Sequence, residues 1–318
     1  MATDVATRPA RSTLSLPAQV TIVDVTPRDG LQDADRSITC AQKLRFIAAL
    51  VAAGVRNIEA TSFMHPAWIP QLADADAVAA RLPRDTDVVY SALVPNMRGY
   101  ERARAAGIRE VTLVVSASES HNKANLNRST GESLAQLADV AARAQHDGVV
   151  VRGAIATAFG CPFEGAIAPA AVLRVVHAYR AMGLTRLSLA DTIGAGNPRQ
   201  VYDLFTLART ETSPDVTLSA HFHDRSGYGL ANVFAALQAG VDIFDAAIGG
   251  LGGCPYAPGA PGNLSTEDLA AYLDAMGIST GVSLAGLAAA RALVMAALAE
   301  GAPVTDSHSM RATPSPAG

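Results

Sequence analysis

The sequence is short of cysteine, lysine, aromatic residues and long apolar runs, and each shortage removes a class of protein. Its three cysteines, Cys40, Cys161 and Cys254, are odd in number and widely spaced. They form no disulfide framework and fit a reducing, cytoplasmic compartment. Lysine occurs only at Lys43 and Lys123, and the net charge is −4 with no basic stripe. A nucleic-acid partner is therefore not expected. No uncharged apolar run approaches the ~20 residues that a membrane span needs. Aromatics make up 5% and charged residues 17%, against 49% hydrophobic. That balance is too apolar for global disorder. A chain of this length buries roughly three quarters of its unfolded surface, so its core needs no covalent staple.

The ends differ from the middle. Residues 1–19 are rich in Ala, Thr, Ser, Arg and Pro and lack an apolar stretch. They read as a disordered tail, in preference to a mitochondrial presequence, and not as a secretory signal. Residues 301–318 read as a second disordered tail, which leaves one domain over 20–300.

Within that domain one pattern repeats: a short β-branched run, a turn, then a helical stretch. The strand candidates are 20–25, 57–61, 87–93, 110–116, 149–157, 186–190, 217–222 and 243–248. Several are continuously apolar, as parallel strands covered on both faces are. Amphipathic segments lie between them, at 41–53, 70–82, 131–147, 169–182, 197–210 and 229–239. Gly54, Gly107, Gly148, Gly183 and Gly240 each follow a helical run as a stop signal. Eight such units predict an α/β fold, a (β/α)8 TIM barrel, with additional C-terminal helices at 266–276 and 283–300. A doubly wound sheet would want a glycine fingerprint after its first strand. The first strand here is followed by TPRDGLQ instead.

In a barrel, polar residues at the C-terminal strand ends face the active site. Those ends supply Arg28 and Asp29, Glu59, Ser116 and Ser118, Asp191, His221 and His223, then Cys254 and Asn263 in the last loop. His221 and His223 are two apart and share one face of a strand. Two imidazoles in an apolar barrel read either as metal ligands or as hydrogen-bonded structural histidines. Asp29 is the best oxygen donor to complete a site, and Asn263 alone reads as a turn residue. Ligand softness would admit Mn²⁺, Zn²⁺, Co²⁺ or Fe²⁺ and disfavours Mg²⁺. Cys254 follows Gly249-Gly-Leu-Gly-Gly, a run that permits large backbone excursions. It reads as a proton donor or nucleophile, or as a small buried residue. Cys40 and Cys161 take the structural reading, Cys40 at a helix start with Thr39 as the cap.

Together TPRDGLQ (26–32), EATSF (59–63), SLADTIG (188–194), HFHD (221–224), GGLGGCPYAPGAPGN (249–263) and TEDL (266–269) resemble the 3-hydroxy-3-methylglutaryl-CoA lyase family. The resemblance spans about residues 20–298, and the glycine-rich loop is its most specific part. It implies a dimeric barrel that uses Mg²⁺ or Mn²⁺ and cleaves 3-hydroxy-3-methylglutaryl-CoA to acetyl-CoA and acetoacetate. It also implies that Asp29, His221, His223 and Asn263 are metal ligands, which replaces the turn reading of Asn263. Arg28, Glu59, Asp191 and Cys254 match further functional positions. The implied reaction is a retro-Claisen cleavage. Arg28 would face the thioester oxygen, Glu59 and Asp191 would orient neighbours, and the base would lie in the Asp29–His221 region. Cys254 would protonate the enolate. His65, Ala190, Arg225, Ser226 and Tyr228 depart from the family pattern and are expected to alter the acyl pocket. That leaves open a lyase for a different acyl group, such as citramalyl-CoA, and less favourably a Claisen-condensing synthase.

Overall fold

A computed structural model describes residues 16–84, 86–225, 227–253 and 262–302. Eight parallel strands close into a barrel in chain order. They are β1 (Thr21–Asp24), β2 (Asn57–Ser62), β3 (Val89–Leu93), β4 (Glu110–Ser116), β5 (Val150–Ala156), β6 (Arg186–Asp191), β7 (Thr217–Phe222) and β8 (Ile243–Ala246). Strand β8 pairs with β1 through Thr21↔Ile243 to Asp24↔Ala246, which shuts the sheet. The helices around it are α1 (Cys40–Ala52), α2 (Ala75–Ala79), α3 (Met97–Ala105), α4 (Glu119–Leu126), α5 (Thr130–His146) and α6 (Pro169–Ala181). They continue with α7 (Pro198–Thr210), α8 (Gly229–Gln238), α9 (Thr266–Ala275) and α10 (Leu284–Glu300).

Local chemistry sets the helix starts. Thr39 caps α1 and Ser129 caps α5, each in a reciprocal capping box, with Gln42 and Glu132. All five predicted stop glycines have left-handed backbones. The segment expected as one helix over 70–82 is instead a 3₁₀ turn at Pro70–Leu72 followed by the short α2. The buried Lys43 ammonium donates to the Gln71 carbonyl and to Asp74. A continuous helix would need that carbonyl for its own ladder. Helix α4 was not expected at all; Ser118 starts it by accepting from the His121 N–H at 3.0 Å.

The scarce aromatic residues are concentrated. Phe159, Phe205, Phe222 and Phe244 form one cluster with ring centroids 5.9–6.5 Å apart, within the distance range of favourable ring pairs. It packs β7 and β8 against α7 and supports the histidine strand from outside. At the first strand end, Asp24 accepts from Thr26 N–H at 2.9 Å and Thr266 Oγ1 at 2.8 Å. Thr26 Oγ1 in turn accepts from Ile248 N–H at 2.7 Å. Burial pushes the Asp24 carboxyl up to about 6, against those hydrogen bonds. Helix α10 packs on α1 and α9, completing the outer layer.

Residues 16–19 differ from the tail reading. Leu16 packs on the core, and the Ala18 carbonyl accepts from Ser279 N–H at 3.0 Å. The expected tails are otherwise residues 1–15 and 303–318, outside the described residues. No helix among the described residues is long and apolar enough to cross a membrane.

Candidate active site

The end of β1 carries an unusual turn. Residues Thr26–Gly30 form one π-helical turn in which Arg28, Asp29 and Gly30 all donate to the Val25 carbonyl, at 2.8–3.1 Å. Such turns recur at functional sites because they re-aim side chains. This one points Arg28 and Asp29 across the barrel mouth. Arg28 pairs with Asp29 on one side and with Glu59 of β2 on the other. The pairs are almost dry, with side-chain exposures of 11% for Arg28 and 2% for Glu59. Held between two carboxylates, the Arg28 guanidinium is raised further above its usual value despite burial.

His221 and His223 come from the end of β7. Their Nε2 atoms stand 3.9 and 3.8 Å from Asp29 Oδ2. One ligand atom from each of Asp29, His221 and His223 lies within 4.8 Å of the others, and all three residues are buried. Burial alone would raise the Asp29 carboxyl. Arg28 and the two imidazoles outweigh it and hold the group far below the usual carboxylate range. Asn263 joins from the last loop through a bridge to His223. Its Nδ2 donates to Asp29 Oδ2 at 2.7 Å and to the Leu251 carbonyl at 2.8 Å. Gly252, at φ +94°, makes this approach possible, since a Cβ there would lie 2.6 Å from Asn263 Nδ2.

Behind His221 stands a group that sequence reasoning missed. Asp245 of β8 lies 3.2 Å from His221 Nδ1, and both its oxygens accept from Arg152 Nη2 of β5 at 2.7 Å. Burial would raise the Asp245 carboxyl, but Arg152 and His221 lower it. The reverse holds for His221, which burial would lower and Asp245 and Asp29 raise. The signal was a charge inside each of two apolar runs, VVRGAIA and IFDA. Ion pairing is what makes such burial tolerable. His121 was missed as well. It lines the cavity with Nδ1 3.1 Å from Ser116 Oγ, and burial pushes it down to about 4.

These groups surround a cavity of about 810 Å³. Alternate residues of β4 (Thr112, Val114), β5 (Arg152, Ala154, Ala156) and β6 (Ser188, Ala190) line it, as inward positions of a barrel strand should.

Several expected site residues do something else. The Asp191 oxygens accept from Ala195 and Gly196 N–H at 2.9 Å each. Asp191 therefore shapes the loop after β6 and does not line the cavity, and the His221 and His223 imidazoles act on it electrostatically. Ser116 meets Thr157 Oγ1 at 2.6 Å, and Ser118 accepts from Cys161 Sγ at 3.0 Å, so both build the start of α4. Of the departures from the family pattern, only Ala190 lines the cavity among the described residues; His65, Arg225 and Tyr228 do not. His65 Nδ1 accepts from Ala67 N–H, and Tyr228 is 51% exposed. The His65 ring nevertheless stands 6.2 Å from that of Trp68, which does line the cavity. Ser226 and Cys254 lie outside the described residues.

A closed parallel barrel with a buried carboxylate and two imidazoles at its C-terminal mouth defines a barrel enzyme with a site suited to a cation. The chain belongs to the HMGL-like family, whose pattern matches residues 19–294. It is 44% identical to the hydroxymethylglutaryl-CoA lyase of Pseudomonas mevalonii over 269 residues, covering 85% of this chain and 89% of that one. It is also 44% identical to the (R)-citramalyl-CoA lyase of Chloroflexus aurantiacus, covering 85% and 88%. An HMG-CoA lyase from Acinetobacter baumannii, solved with coenzyme A and 3-methylmalate, superimposes with a TM-score of 0.85 at 39% identity, covering 90% and 93%.

Proposed function

We propose that this chain cleaves 3-hydroxy-3-methylglutaryl-CoA to acetyl-CoA and acetoacetate, with Asp29, His221, His223 and Asn263 holding a Mg²⁺ or Mn²⁺ ion. The observation that carries this reading is the buried Asp29–His221–His223 cluster with Arg28 locked beside it. Two features fit a cation. Asp29 offers an anionic oxygen, and His221 and His223 each offer a ring nitrogen within 4.8 Å of it. Asn263 Oδ1 is buried with no hydrogen-bond partner among the described residues. When bound, a divalent cation lowers the pKa of a substrate hydroxyl and polarises its oxygens.

The remaining work falls to the side chains. Arg28, fixed by Glu59, presents a permanent positive charge where the thioester oxygen gains negative charge as the C2–C3 bond breaks. The proton of the tertiary hydroxyl leaves to the Asp29–His221 region. The bond's electron pair passes to the thioester enolate, and the other fragment leaves as a ketone. Asp245 holds the His221 ring from behind. We assign protonation of the enolate carbon to Cys254 on sequence grounds, because Gly253, the residue before it, lines the cavity. We further assign the chain to the cytoplasm as a homodimer.

Equal identity to a citramalyl-CoA lyase supports a second reading, the same cleavage on that thioester. The experiment that separates the two is acetyl-CoA release by metal-loaded protein from each thioester. Turnover of methylglutaryl-CoA above citramalyl-CoA supports the first reading, and the reverse order replaces it with the second.

A further inference from the structure

Thr157, just past the end of β5, is buried and holds φ at +56°, in the left-handed region. A β-branched residue rarely does so, and such strain persists only where the surroundings over-determine it. The contacts of Thr157 do that. Its N–H donates to Thr192 Oγ1 at 2.8 Å, and its hydroxyl donates to the Ala156 carbonyl at 2.7 Å. The same oxygen meets Ser116 Oγ at 2.6 Å and accepts from Ser118 N–H at 3.3 Å. Ser116 Oγ in turn lies 3.1 Å from Nδ1 of His121, which lines the cavity. Two hydroxyls thus join the strained residue to an imidazole on the cavity wall.

Their hydrogens decide which nitrogen of that imidazole carries its proton. A hydroxyl has one hydrogen and a carbonyl has none. The Thr157 hydrogen lies on the Ala156 carbonyl, so the short contact to Ser116 uses the Ser116 hydrogen. Ser116 Oγ can then only accept, and the hydrogen between it and His121 belongs to Nδ1. Nε2 is the acceptor of the ring. Burial pushes His121 down to about 4, which keeps the ring neutral, with that acceptor intact, at neutral pH.

His121 shares the cavity wall with Ala124 and Leu126 of α4 and Leu137 of α5, and Trp68 and Ile69 after β2 line the cavity as well. This part of the wall comes from helices and loops, not from strands, and is largely apolar. An apolar wall with a buried acceptor suits an aliphatic chain that carries a donor. The pantetheine arm of a coenzyme A thioester is such a chain, and the first donor along it from the sulfur is the cysteamide N–H. We propose that Ser116 and Thr157 are positioning residues that hold His121 as the Nδ1–H tautomer, and that His121 Nε2 accepts from this amide N–H and so selects the pantetheine arm. This rests on the thioester-lyase reading and concerns the part of the substrate outside its acyl group.

The test uses Mn²⁺-loaded protein, coenzyme A, and an analogue with oxygen in place of the cysteamide N–H, which removes the donor and keeps the chain. Binding is measured by calorimetry. Wild type should hold coenzyme A about 3- to 10-fold tighter than the analogue, the range of one neutral hydrogen bond. His121→Leu should abolish that preference. Thr157→Val keeps the side-chain shape and lets the Ser116 hydrogen turn to His121 Nδ1. The ring proton should then move to Nε2, seen as an exchange of the two ring nitrogen NMR resonances that His121→Leu identifies, and the preference should be lost. Thr157→Ser should restore both. Should Thr157→Val fail to fold, Ser116→Ala removes the partner of Nδ1 and should reduce the preference in the same way. A wild type without the preference, or a Thr157→Val protein that keeps either the tautomer or the preference, would overturn the proposal. If coenzyme A binds with the preference but no thioester releases acetyl-CoA, the lyase reading fails and the subsite stands.

Discussion

Asp245→Asn is the most informative single perturbation, because it separates what Asp245 does for stability from what it does for the site. The carboxylate receives Arg152 Nη2 on both oxygens at 2.7 Å and lies 3.2 Å from His221 Nδ1. Asparagine keeps the shape and removes the charge. Arg152, only 7% exposed, is then left as a buried cation. Breaking a buried pair from one side costs roughly 3–5 kcal/mol. The Glu59 charge acts on Arg152 as well, so the low end of that range is expected. The second effect is on the ring. An amide can donate to Nδ1, which drives the imidazole proton onto Nε2, the nitrogen that faces Asp29. Losing such a partner of a ligating histidine typically weakens metal affinity about 10- to 100-fold. The assays are urea unfolding with the cation stripped, since a bound cation adds its own stabilisation, and calorimetric Mn²⁺ titration. Arg152→Met with Asp245→Asn should recover the stability and not the affinity. Unchanged stability and unchanged Mn²⁺ affinity in Asp245→Asn would refute the reasoning.

Two further predictions concern other parts of the barrel. Asp24 is raised to about 6 in the fold from 3.8, so the native state binds its proton more tightly than the unfolded chain does. Stability should therefore fall as pH rises through about 4 to 6, by up to about 3 kcal/mol. Asp24→Asn should flatten that slope in thermal or urea unfolding; an unchanged slope would exclude Asp24 as its source. Cys254→Ser should keep the fold and the Mn²⁺ affinity and lose most turnover, and full activity in that variant would remove the thiol from the reaction.

The barrel was legible because its signals are local. Continuous apolar strands, helical periodicity and stop glycines each act within a few residues, and the strand ends followed to within about two. The segment at 70–82 was not legible, because the group that divides it, Lys43, comes from another helix. The cation cluster was legible for a different reason: strand ends in a barrel converge, so Asp29, His221 and His223 could be placed together from order alone. Their support was not. Arg152 and Asp245 meet across the barrel interior from β5 and β8, and neither motif points to the other. Asp191 shows how position and contacts differ: its place at a strand end is legible, but its hydrogen bonds to the loop that follows it are not. His65, Arg225 and Tyr228 stand out as departures in motifs, and none of the three lines the cavity among the described residues. Thr112 carried no sequence signal at all, being one more β-branched residue in VTLVV.

The central claim is that this cavity breaks a carbon–carbon bond with a cation held by Asp29, His221, His223 and Asn263. The most direct measurement is acetyl-CoA release from 3-hydroxy-3-methylglutaryl-CoA by chelator-stripped protein, as Mn²⁺ is returned in known amounts. The account predicts no release from stripped protein, and recovery that saturates at one ion per chain in the wild type but not in His223→Asp. Release that is independent of the added ion, or equal recovery in His223→Asp, would contradict it.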